Sequence, residues 1–125
     1  MEKVEFLILR NLLYNEEYVR KVVPFLKAEY FENFNEKVVF EEILNFVQEY
    51  NTPATKEVLC IETEKRQDIN DSSFKEISDL IGSLEESPSE FDWLVSTTEK
   101  WCRDRAIYLA LMESIQLADG KDDQK

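Results

Sequence analysis

A chain of 125 residues with 27 acids, 15 bases and no histidine carries a net charge of −12. Its hydrophobic fraction of 43% and aromatic fraction of 12% are those of a single folded domain, not of a disordered chain. The acids outnumber the bases in every third of the chain, which excludes tight binding to a phosphate backbone, because that takes clustered Lys and Arg. The missing histidine removes the commonest general base and the commonest zinc ligand.

Only two glycines and three prolines occur, a scarcity of breakers that favours long helices and few tight turns. No apolar run approaches the length needed to cross a membrane. The opening Met-Glu-Lys-Val-Glu-Phe sets acids among the first apolar residues, unlike a secretory signal. Cys60 and Cys102 are too few for a disulfide framework and lack metal-ligand spacing. They read as reduced thiols of a cytosolic protein.

In chain order, residues 2–14 carry Val4, Leu7, Ile8 and Leu12 at helical spacing. Asn15 is placed to cap a second helix, with Glu16 and Glu17 in its first turn and Tyr18, Val19, Val22 and Val23 along it. Pro24 ends that helix or starts a short turn. The segment from Phe25 to Phe34 is short and aromatic, and Tyr30, Phe31 and Phe34 are expected to plug the core. Residues 36–50 form the clearest inner helix, through Val39, Phe40, Ile43, Leu44, Val47 and Tyr50. Asn51-Thr52-Pro53-Ala54 is a turn, and Thr55 caps a helix bearing Val58, Leu59 and Ile61. Residues 65–72 read as a polar loop.

From about Ser73 a further helix is expected, with a capping box of Ser73 and Glu76 and a narrow seam of Phe74, Ile77, Ile81 and Leu84. Ser87, Pro88 and Glu90 form the start signal of the last helix, which is expected to stop near Gly120. The predicted fold is all-α: a small helical globule at 1–66, a loop and an antiparallel helical hairpin at 67–118, and a polar tail or linker at 119–125.

The last helix holds the most informative stretch. Residues Ala106 to Met112 read A-I-Y-L-A-L-M, apolar at every position. A surface helix needs one apolar stripe, so a helix apolar all round must be covered on more than one face. One cover comes from the chain itself, and the other from a second subunit or from a further face of the chain's own globule. Ile107, Leu111 and Ile115, with exposed members of the row that includes Leu80, Ile81 and Leu84, are the expected subunit contact. Trp93 and Trp101 are candidate docking residues, because aromatic side chains often anchor interfaces, with a place in the core the alternative for each.

Catalytic chemistry is missing from the pattern. Two glycines cannot build a phosphate-binding loop of the G-x-x-x-x-G-K-[ST] type. Neighbouring acids such as Glu41-Glu42 and Glu85-Glu86 point in different directions on a helix. Di-metal carboxylate bundles need Glu-x-x-His motifs, which this chain cannot have. The chain is therefore expected to be no enzyme by itself and to hold no cofactor or metal.

Taken together, Glu29-Tyr30-Phe31-Glu32, the helix V-F-E-E-I-L-N-F-V at 39–47, the Thr-Pro turn at 52–53, Ser87-Pro88, Trp93-Leu94-Val95, Thr98-Glu99-Lys100 and Arg105-Ala106 resemble a known pattern. Their order and spacing are similar to the N-terminal domain of DnaB-type replicative helicases, in the form found in T-even-type bacteriophages. The resemblance covers nearly the whole chain. It implies that the domain precedes a linker and a RecA-like ATPase domain, where the parent protein binds ATP and Mg and unwinds DNA. It further implies self-association as dimers or a ring of dimers, in a collar on a hexameric motor where primase docks. The helicase loader is a further candidate partner, and single-stranded DNA is reached through the motor domain. Such a protein works in the cytoplasm of the infected host cell, without a membrane. The chain departs from the full-length pattern by stopping at Lys125, so it reads as a cut piece or a free-standing relative. The alternative that the charge suggests is an acidic phage adaptor, or an inhibitor that mimics DNA.

Overall fold

The computed structural model describes residues 3–123, with side chains as far as Asp119. Six α-helices and two 3-10 turns follow one another: α1 (Val4–Tyr14), α2 (Glu16–Val22), turns at Val23–Phe25 and Ala28–Tyr30, α3 (Phe34–Tyr50), α4 (Lys56–Glu64), α5 (Asp71–Gly82) and α6 (Phe91–Asp123). No strand occurs among the described residues. The fold is all-α, as the breaker-poor sequence predicts.

The helix starts are set by side chains that take up free backbone N–H groups. Asn15 accepts from the Tyr18 N–H at 3.0 Å, Asn33 from Glu36 at 3.0 Å and Thr55 from Val58 at 3.2 Å. Helix α3 ends at Asn51, whose φ of 56° is left-handed. Asparagine tolerates that conformation better than other side-chain-bearing residues, and Pro53 then blocks any continuation.

Four local expectations are corrected. Helix α5 begins two residues before Ser73, because Asn70 captures the Ser73 N–H at 2.8 Å and so becomes the cap. Helix α6 begins at Phe91, because the Glu90 carboxylate accepts from the Trp93 N–H at 2.8 Å; Ser87 lies outside the helix. Phe34 does not plug the core. It is the first residue of α3 and is 48% exposed, while Tyr30 and Phe31 are buried as expected. Gly120 does not stop α6, which runs on to Asp123; a single glycine inside a helix costs only about 1 kcal/mol.

Helix α3 is the centre. It packs against α1, α4, α5 and the Ala28–Tyr30 turn, while α6 lies on α1, α2 and the same turn. The two last helices are therefore not laid side by side as a tight hairpin. The link between them, residues 83–90, is too long and extended for one. Leu84 in that link is fully buried, and its carbonyl accepts from the Tyr14 hydroxyl at 2.8 Å. Lys56 at the start of α4 donates to the Gly82 carbonyl at 3.0 Å. The apolar face of α5, Ile77 and Ile81, is thus held within the globule. One hydrophobic cluster runs from Ile8 through Phe40 and Ile81 to Leu94 and Cys102, so no separate core begins after residue 66.

A charged clamp closes α3 on the loop after α4. Arg66 donates to Glu42 at 2.8 Å, Glu41 at 3.0 Å and Asp68 at 2.7 Å. Hydrogen bonding to Arg66 holds the Asp68 carboxyl below the ordinary value of 3.8. The ionised form is therefore favoured in the folded state. Its contribution is complete above the unfolded value and is lost as pH falls through the lower folded one. Breaking a buried ion pair costs about 3–5 kcal/mol, and solvent at the clamp cuts this to about 1–2 kcal/mol. Arg66→Ala is expected to lose that amount in urea denaturation at neutral pH, and the deficit should narrow well below pH 3.8. A deficit unchanged by acid would show that the aliphatic stem, not the charge, does the holding.

Candidate interaction surface

Helix α6 is 33 residues long, about 50 Å at the usual helical rise. Its inward face is Leu94, Val95, Thr98 and Cys102, all buried, with Phe91, Trp101, Arg105, Leu109 and Met112 half-buried. At about 100° per residue these positions fall on one side of the helix. Several contacts fix it in place. The Thr98 hydroxyl donates to the Leu94 carbonyl at 2.8 Å. Its single proton is then committed, so the Tyr18 hydroxyl is the donor in the buried 2.6 Å bond between Tyr18 and Thr98. Desolvation raises the Tyr18 phenol well above its ordinary value, which keeps it a donor. The Trp101 ring lies 5.0 Å from Phe31 and 6.2 Å from Tyr30. Arg105 donates to the Tyr30 carbonyl at 2.6 Å and covers the Tyr108 ring at 5.0 Å.

Beyond Arg105 the outward face is also apolar. Ile107 is 54% exposed, Leu111 59% and Ile115 54%. With Ala118, and with Tyr108 at its edge, they form a stripe about 100° wide on a side the globule does not cover. After Met112 every described side chain of α6 is exposed, so the helix projects from the body carrying bare aliphatic residues. A short monomeric domain rarely leaves such a contiguous apolar strip open.

The expected contact residues divide. Ile107, Leu111 and Ile115 share the open stripe. Leu80 is half-buried on α5. Ile81 at 1% and Leu84 at 0% exposure are inside the protomer's own core and are removed from the contact. The cause is the packing of α5 on α3 and α4, which uses the very seam that the sequence offers to a partner. Trp93 is 53% exposed and remains open to a partner. Trp101 is used by the fold, between Tyr30 and Phe31. Tyr108 belongs to the stripe and was signalled only by lying inside the A-I-Y-L-A-L-M run.

Burial pushes the Cys102 thiol up to about 12, so it is a neutral, unreactive group. No cluster of acids and cysteines that could hold a metal ion occurs among the described residues. No helix among them is long and apolar enough to cross a membrane. The arrangement is suited to association.

No protein-family model matches the chain. Over 111 residues, 89% of its length, the chain is 31% identical to the DnaB-like replicative helicase of Enterobacteria phage T4. This chain is a relative of a phage replicative helicase. It spans 23% of that protein's length, consistent with an N-terminal domain. The resemblance carried by the order of its motifs is thereby borne out.

Proposed function

We propose that this chain is the N-terminal collar and assembly domain of a phage replicative DNA helicase. Subunits associate through the outward stripe of α6, and primase docks on the collar so built. The observation that carries the reading is one helix with two apolar faces, only one of which the protomer covers. The similarity to a DnaB-like replicative helicase supports the setting. In this reading the domain performs no catalysis. ATP and Mg belong to the motor domain of the parent protein, which would contact single-stranded DNA, assemble as a hexamer and act in the cytoplasm of the infected cell.

The acidic body fits a collar that touches protein while leaving nucleic acid to the motor, since its negative field repels phosphates. Trp93, exposed near the start of α6, is the candidate docking residue. Titration of the domain with the primase encoded alongside it, followed by calorimetry, is expected to give a saturable complex that Trp93→Ala weakens by about tenfold, as for an aromatic anchor. Absence of a complex, with the domain shown to be folded and self-associated, would remove primase from the reading and leave assembly alone.

A further inference from the structure

A second uncovered surface lies between α3 and α4. The Asn51–Pro53 turn sets the end of α3 beside α4, and a groove of about 750 Å³ opens between them. Phe46, Glu49 and Tyr50 line it from α3, and Val58, Ile61 and Glu62 from α4. Two of its large apolar side chains are left in water, Tyr50 at 59% and Ile61 at 50% exposure. The Phe46 and Tyr50 rings lie 4.6 Å apart and form one aromatic ledge.

The charge around this ledge has one sign. Glu42, Glu49 and Glu62 line the groove and no Lys or Arg does. Glu49 has no ion pair or hydrogen-bond partner among the described residues, Glu62 meets the exposed Lys65 at 3.1 Å, and Glu42 shares Arg66 with two other carboxylates. Residues 41–68 hold seven acids against three bases. Aromatic faces and carboxylates both attract ammonium and guanidinium groups, while the aliphatic floor of Val58 and Ile61 takes apolar side chains.

We propose that this groove docks a cationic amphipathic segment of a partner protein. Its apolar side chains cover Val58 and Ile61, and its Lys or Arg side chains reach the Tyr50 ring, Glu49 and Glu62. A second copy of this acidic chain is disfavoured by like charge, and nucleic acid by the same field. The surface shares no residue with the α6 stripe and does not depend on the collar reading.

The test uses a synthetic helical peptide of leucine and lysine, added to the isotope-labelled domain and followed by NMR. Amide shifts should concentrate at Phe46, Tyr50 and Ile61, weaken as salt is raised, and vanish when glutamate replaces lysine in the peptide. Tyr50→Lys and Ile61→Lys change exposed residues and should leave the helical circular dichroism intact. Each should weaken binding by about tenfold, the loss of one large contact. Leu111→Glu should leave it unchanged. Shifts scattered over the acidic surface, shifts centred on α6, or affinity untouched by both lysine variants would overturn the proposal. The native mass of the domain, which reads the collar contact, is unaffected by either result.

Discussion

Leu111→Glu is expected to yield a folded protein of lower native mass. Leu111 is 59% exposed and lies on the side of α6 away from the globule, so the protomer loses no internal contact. At an interface between like subunits the same side chain is used by both partners, and a two-fold contact repeats each loss. Withdrawing one leucine from an apolar contact costs about 1.5–3 kcal/mol, hence about 3–6 kcal/mol for the pair. A buried, unpaired carboxylate adds to that. The association constant should fall by more than about a hundredfold, and size-exclusion chromatography with light scattering reads the result directly. Unchanged mass with unchanged circular dichroism would place the subunit contact elsewhere.

Phe40→Ala is expected to produce the largest loss of stability. Phe40 is fully buried in α3 and stacks on Phe31 at 5.0 Å, and Phe31 meets Trp101 of α6 at the same distance. The ring therefore joins the central helix, the aromatic turn and the projecting helix in one packed row. Truncating a buried phenylalanine costs about 3–5 kcal/mol, a large share of the roughly 5–15 kcal/mol that holds a domain together. The melting temperature should fall by about 12–20 °C, with a red shift of Trp101 emission in the same transition. A loss under about 1 kcal/mol would mean that the row is not the core's keystone and that neighbours refill the space.

The helices were legible because their signals are local. Asn15, Thr55 and the 3-4-7 spacing in 36–50 each act within a turn or two of the chain. Where two caps compete, locality misleads. Asn70 outbids Ser73, and Glu90 outbids Ser87, by offering an oxygen at the right distance to the first free N–H groups. The partner of each apolar face was less legible. The seam of Ile77, Ile81 and Leu84 has the spacing of a coiled coil, yet it is spent inside the globule, because the link after α5 is pinned by Tyr14 and Lys56. Those contacts join residues tens of positions apart and leave no mark in the periodicity. The Arg66 clamp and the acidic groove are of the same kind. The all-round apolar run at Ala106–Met112, by contrast, pointed to a second uncovered face because its length exceeds what one packing surface needs.

Sedimentation equilibrium of the unaltered chain over a wide concentration range tests the account most directly. The stripe of Ile107, Leu111 and Ile115 predicts a native mass of twice 14.8 kDa or a higher multiple, held as salt is raised, because the contact is apolar. A mass of 14.8 kDa at every concentration would contradict it and leave α6 with no subunit to cover it.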